Sequence, residues 1–277
     1  MPVIAMTREM GSGGREIAEV VATKLGLTLI LHELVEHDLA EHMHVRQSAI
    51  HNLLEGGATL RERWQIGSKR LARYTAEEVL ELAARGNVLI RGWGACVILR
   101  DAPQVARIRV CAPLEMRERA VMRRSSLSDL AGAQREIERN DAAHKRVLQM
   151  AYGVDRDDAR LYDMVLNTER VSVETSAKLV CDLVDRPEFH QSEAALAALR
   201  DKALEAHVRI KLRERFIAGT GVSNVDAAAE GGRVVLTGVA IHELLAADAG
   251  KLAAEVAGVK EVVNRIAVVH WPAGRLR

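Results

Sequence analysis

The chain has 277 residues, 48% of them hydrophobic and 28% charged, with a formal net charge of +1 at pH 7. That length suits two domains better than one. The balanced charge excludes the global basic field that nucleic-acid binding uses, so no nucleic-acid partner is expected and any anion site must come from a local cluster.

Aromatic residues make up only 3% of the chain, so the core must be built from Leu, Val, Ile and Ala. Cys96, Cys111 and Cys181 are odd in number and widely spaced, matching neither a metal motif nor a disulfide framework. Each lies in or beside an apolar run and reads as a buried reduced thiol. The N-terminus shows no basic segment followed by an apolar stretch, and no apolar run approaches the ~20 residues that span a bilayer. A cytoplasmic location is expected.

Residues 3–6 form a short apolar run followed by Gly11-Ser12-Gly13-Gly14. Ile17, Val20, Val21 and Leu25 then recur at helical spacing, and Gly26 ends that helix. Residues 88–90, 105–110 and 164–166 read as further buried strands. Amphipathic helices fit 33–54, 60–84, 114–124 and 173–184. The alternation predicts an α/β domain with a mostly parallel sheet and helices on both faces, over residues 1–186.

A polar stretch containing Arg186-Pro187-Glu188 predicts a linker over 187–199. Beyond it, Leu204, Val208, Leu212 and Phe216 repeat every four residues on one helix face. Strands at 222–229 and 233–239 flank Gly231-Gly232, a pair suited to a tight hairpin. A second helix carries Leu245, Ala249, Leu252 and Val256 and stops at Gly258. A last strand covers 262–269. Helix, hairpin, helix and strand predict a small α+β domain over 200–270.

The chemistry concentrates in Arg8-Glu9-Met10-Gly11-Ser12-Gly13-Gly14-Arg15-Glu16. A strand that runs through glycines into a helix aims several backbone N–H groups at one point, where the helix terminus adds partial positive charge. Glycines let phosphate oxygens approach the main chain, and Arg8 and Arg15 supply cations. In strict P-loop register Glu9 replaces the first glycine, Arg15 the lysine and Glu16 the hydroxyl residue. A guanidinium grips phosphate as a fork where an ammonium acts as a point charge, so the geometry changes. A glycine-rich turn that binds nothing is the competing reading.

Thr7-Arg8-Glu9-Met10-Gly11-Ser12-Gly13-Gly14-Arg15-Glu16-Ile17 resembles the first motif of the cytidylate kinase-like family. The resemblance continues through Gly26-Leu27 with Glu33, residues 88–99, Ala112-Pro113-Leu114-Glu115-Met116-Arg117 and 162–168. It implies a P-loop nucleoside monophosphate kinase fold that transfers the γ-phosphoryl group of ATP, with Mg2+, to CMP, dCMP or a similar nucleotide. On that resemblance Gly11, Ser12, Gly13, Gly14, Arg15, Glu16 and Arg8 bind the donor phosphates. Arg15, Arg117, Arg123 and Asp141 are catalytic, and Glu33 and Arg91 hold the acceptor. Arg117, Arg119, Arg123 and Arg124 would form a mobile lid, or else a solvated helix face.

The chain departs from the family pattern at Leu31, where an aspartate is expected, and at Trp93 and His144, where arginines are expected. These departures keep open a second reading, a catalytically weak nucleotide-binding regulator. Residues 201–269 resemble the BON domain through 232–239 and 256–264. That likeness implies recognition of a phospholipid surface or a protein partner, against the simpler reading of a packing or dimerisation module.

His37, His44 and His51 recur every seven residues on the helix predicted over 33–54. Seven residues advance a helix by ~10.5 Å, too far for neighbours to share one metal, so no metal site is expected there. Asp155, Asp157 and Asp158 read as a self-paired charged turn, with contact to magnesium or a lid arginine as the alternative.

Overall fold

The computed structural model describes residues 2–54, 57, 67–125, 129–216 and 221–269, leaving aside the side chains of 32–34, 54, 68 and 125. The chain divides into two compact units, Met1–Ala195 and Leu196–Arg277.

The first unit runs β1 (Val3–Arg8), α1 (Gly14–Leu25), β2 (Thr28–Ile30), α2 (His32–His42), α3 (Gln47–Leu54), α4 (Ser68–Arg85), β3 (Val88–Arg91), α5 (Ala95–Ile98), β4 (Val105–Cys111), α6 (Leu114–Ser125), α7 (Leu130–Tyr152), β5 (Met164–Asn167) and α8 (Val173–Val184). Its five strands are parallel in the order β2-β3-β1-β4-β5. Ile4 and Met6 of β1 and Ile108 and Val110 of β4 are fully buried, as expected of central strands covered on both faces. Ile17, Ala18, Val21 and Ala22 form the buried stripe of α1 and join that core with Ala177 and Val180 of α8. Each such aliphatic burial contributes about 1.5–3 kcal/mol for the larger side chains. Gly26, at φ 64°, ends α1 in the left-handed conformation, its N–H bonded to Ala22 O.

The helix expected over 33–54 is two helices. His44 stands between them at φ 52°, and Val45 N donates to Ala40 O at 3.0 Å, which closes α2. The spaced histidines therefore do not share one helix. Among the described residues no group of His, Cys, Asp and Glu is arranged to hold a metal. The helix expected over 60–84 is described from Ser68; residues 60–66 lie outside the described part.

Pro187–Phe189 forms a single 3-10 turn, and α9 (Glu193–Arg215) begins inside the stretch expected as a linker. The second unit continues with β6 (Val222–Glu230), β7 (Arg233–Ala240), α10 (Glu243–Ala254) and β8 (Glu261–Val268). β6 and β7 are antiparallel, β7 and β8 parallel. Gly231 and Gly232 take φ values of 59° and 90°, which makes the tight hairpin possible. Leu204, Val208, Leu212 and Phe216 are all buried against Val234 and Leu236 of β7. Glu205 is buried on the same helix, where it accepts from Ala229 N at 3.1 Å and pairs with Lys202 and Arg209. Among the described residues no helix is long and apolar enough to cross a membrane.

Candidate active site

The carboxyl ends of β1, β3 and β4 converge where ligands bind in open parallel sheets. β1 delivers Arg8, and Glu9 N extends the pairing by donating to Val110 O at 3.0 Å. The chain then turns through Gly11 and Gly13, at φ 79° and 77°, into α1. Two glycines are required by close approach as well. A Cβ on Gly11 would lie 2.6 Å from Arg117 O, and one on Gly14 would lie 2.6 Å from Arg8 Cβ.

Gly13 caps α1 without a side-chain hydrogen bond. Among the described residues, the amides of Gly11, Gly13 and Gly14 donate to no backbone oxygen. The first turn thus keeps donors and partial positive charge available to an anion. Ser12 is the exception within the loop. Its amide donates to Glu9 O at 3.2 Å, and its hydroxyl donates to Glu9 O at 2.8 Å and Val110 O at 3.3 Å. Both groups of Ser12, expected among the phosphate-binding residues, are thus engaged in bracing the loop, and Thr168 Oγ1 donates to Ser12 O at 2.8 Å.

Two clefts open on this edge. One, about 310 Å³, is lined by Arg8, Gly11, Arg15, Glu16, Glu19, Ala120, Val121 and Arg124. Arg15 stands there with its Nε 2.8 Å from Glu19 Oε1, an exposed pair on α1. The other lies on the β3 side and includes Arg8, Arg91, Trp93, His144, Tyr152 and Arg156. Arg8 belongs to both linings.

Behind the loop lies an ionic network that sequence reasoning caught only in part. Arg117, expected on a lid, is turned inward and buried. Its Nε donates to Met10 O at 2.7 Å, its Nη2 donates to Asp141 Oδ2 at 2.7 Å, and its Nη1 lies 3.5 Å from Glu9 Oε2. One guanidinium therefore ties the glycine loop to α7. Arg109 Nη2 donates to Glu9 Oε1 at 2.9 Å and Asp157 Oδ1 at 2.7 Å. Arg156 reaches Asp141 Oδ1 at 3.4 Å. Burial pushes the Asp157 carboxyl up, but hydrogen bonds from Arg109 and Lys145 outweigh it and hold it below the usual carboxylate range.

The other basic residues of α6 divide differently. Arg119 pairs loosely with Glu115 at 3.9 Å on an exposed face. Arg123 is exposed. Arg124 lines the larger cleft and approaches Glu136 at 3.8 Å. The turn expected to pair with itself does so only at Asp158, which pairs with Arg160; Asp155 pairs with Lys145 of α7 and Asp157 with Arg109 of β4. Leu31 is the N-terminal flank of α2, and the Glu33 side chain lies outside the described residues. Arg109 was missed, and Arg156, expected in the charged turn with Asp155, Asp157 and Asp158, reaches Asp141 of α7 as well. The available signal was a pair of arginines, Arg107 and Arg109, inside the apolar strand 105–110.

Residues 3–170 match the cytidylate kinase-like family. The chain belongs to that family. Residues 200–270 match the BON domain. The cytidylate kinase of Pyrobaculum aerophilum is 29% identical over 182 residues, covering 66% of this chain and 92% of the relative. That of Methanocaldococcus jannaschii is 26% identical over 180 residues, covering 63% and 93%. An uncharacterized protein from Eubacterium ventriosum shares the fold with a TM-score of 0.50 at 21% identity, covering 67% of this chain and 99% of that one. The parallel sheet and the loop-to-helix turn are the architecture expected of the family.

Proposed function

We propose that the first unit is a nucleoside monophosphate kinase-like enzyme that transfers the γ-phosphoryl group of ATP to CMP, dCMP or a similar nucleotide. The observation that carries this reading is Arg8, among the described residues the one shared by the two cleft linings, at the end of the central strand and against the glycine turn. A donor on the α1 side and an acceptor on the β3 side would meet at that guanidinium. Phosphoryl transfer asks little of a protein beyond alignment and neutralisation of charge on the moving group, and this edge offers both.

In this reading the amides of Gly11, Gly13 and Gly14 and the side chains of Arg8, Arg15 and Arg124 hold the donor phosphates. Arg91 and Arg156 hold the acceptor. Arg117 and Asp141 act as positioning residues, fixing the loop through Met10 O, and Arg123 remains on the outer face of α6. The Glu16 carboxylate, in the donor cleft, suits a magnesium ion, which takes one or two carboxylates with phosphate oxygens and water. Bound magnesium would neutralise phosphate charge.

A coupled assay across CMP, dCMP, UMP and AMP tests the proposal. Turnover with at least one acceptor supports it; clear ATP binding without turnover favours a nucleotide-binding regulator. Trp93 and His144, standing in the acceptor cleft where family arginines are expected, are the observation behind that second reading. For the second unit we infer a recognition role toward a phospholipid surface or a protein partner. Leu244, 83% exposed, and Ile241, 39% exposed, supply its apolar contact. Vesicle sedimentation of wild type and Leu244→Asp tests the lipid arm, with loss of pelleting expected for the variant. The two domains are proposed to span 1–186 and 200–270, and the cytoplasm is the proposed location.

A further inference from the structure

The β3-side cleft has two kinds of wall. The sheet edge supplies cations: Arg8 and Arg91 end β1 and β3 there, and Arg156 enters from the turn that follows α7. The helices supply apolar surface. Leu71 and Ala72 of α4 line it, as do Val147, Leu148 and Ala151 of α7, at the spacing that puts residues on one helix face. The two helices meet where Tyr152 Oη donates to Ala72 O at 3.4 Å.

Thr75 breaks the apolar pattern on α4. It stands one turn beyond Leu71, is 4% exposed and lines the cleft. Inside a helix a threonine hydroxyl commonly bonds to the carbonyl three or four residues back. Thr75 makes no such bond, and among the described residues its hydroxyl has no partner. Withdrawing a hydroxyl from water without a partner costs stability, and a ligand that supplies the bond removes that cost. The guanidiniums of the cleft are donors only and suit a phosphate. A hydroxyl both donates and accepts, which suits the mixed edge of a nucleobase, and a flat ring suits the apolar faces of α4 and α7.

We propose that Thr75 is a specificity-determining residue that reads the base of the acceptor nucleotide. Its hydroxyl bonds to the base edge while the ring lies against the helix walls and the monophosphate lies at the arginines. The inference rests on the acceptor role assigned above and deepens it, because it names a side chain through which the base contributes to affinity.

Titration calorimetry of the full chain with CMP, dCMP, UMP, AMP and ribose 5-phosphate tests this without requiring turnover. Thr75→Val keeps the side-chain shape and removes the hydroxyl. It should weaken the best-bound nucleotide about three- to tenfold and leave ribose 5-phosphate within about twofold of wild type. Its thermal midpoint should hold or rise, because a buried hydroxyl without a partner has been removed. A residue that merely supported the fold would instead lower the midpoint and weaken both ligands together. Thr75→Ser, which keeps the hydroxyl, should retain the wild-type order of affinities. Equal losses for the nucleotide and for ribose 5-phosphate would overturn the proposal, as would a changed order of affinities in a folded Thr75→Ser protein. Wild-type nucleotide affinity in Thr75→Val removes the role of Thr75 alone. Absence of binding by every monophosphate in the wild type removes the acceptor reading, and this inference with it.

Discussion

The glycine turn offers a paired substitution whose magnitudes follow from its geometry. Gly11 and Gly13 have nearly the same left-handed φ, 79° and 77°. An alanine at either pays the left-handed penalty, about 1–2 kcal/mol. Their surroundings differ. The added Cβ of Gly13→Ala meets only Val173 Cγ2 at 3.7 Å, an ordinary contact, whereas that of Gly11→Ala falls 2.6 Å from Arg117 O and 2.9 Å from Arg117 Cα. Backbone atoms of a packed helix cannot step aside as a side-chain tip can, so overpacking adds about 1–3 kcal/mol. Gly13→Ala is therefore expected to lose about 1–2 kcal/mol and Gly11→Ala about 2–5 kcal/mol. Urea titration with fragment-resolved hydrogen exchange over α1 reports the first unit separately from the second. Equal losses for the two variants would refute the reasoning, because φ alone would then decide the cost and the approach to Arg117 would be irrelevant.

Arg117→Ala leaves Asp141 and Met10 O without their shared donor and should cost about 3 kcal/mol in the same assay. Arg119→Ala, on an exposed pair at 3.9 Å, should stay within about 0.5 kcal/mol. Asp157 has a lowered pKa in the fold, so its ionised form stabilises above the usual value of ~3.9, and that contribution disappears as pH falls through the folded pKa. Asp157→Asn should accordingly be less stable than wild type at pH 7, with the gap closing below about pH 4. Glu78 goes the other way: burial, then Asp38 and Glu81, raise its pKa above 4.5. The fold favours its neutral form and loses stability as pH rises through that raised value, so Glu78→Gln should be the more stable protein at pH 7 and show a flatter pH profile above 4.5. Thermal melts from pH 3 to 8 check both.

Much of the architecture was legible because strong local signals agreed with it. The run 3–6, the glycines at 11–14, the helical spacing from Ile17 to Leu25 and the pair Gly231-Gly232 each specify a geometry that few other arrangements satisfy. The break near His44 was not legible. Apolar spacing continues through Val45, Ile50 and Leu53, and nothing in composition marks a left-handed histidine. Arg117 was misplaced for a related reason. Glu115 and Arg119 at helical spacing look like an outer face, and the inward turn at Arg117 shows only in its approach to Gly11 and its bonds to Met10 O and Asp141. The network of Arg109, Arg156 and Asp157 joins residues about fifty positions apart, a convergence that local patterns do not encode. Trp93 and His144 were visible as departures from a motif, but their meeting in one small cleft required coordinates.

Backbone amide resonances of Gly11, Gly13 and Gly14, followed while ATP–magnesium is added to the full chain, address the phosphate-binding turn most directly. These three amides should move strongly and saturably, with Ser12 N, already bonded to Glu9 O, shifting less. Saturation of ATP binding elsewhere in the protein with all three glycine resonances unmoved would contradict the account.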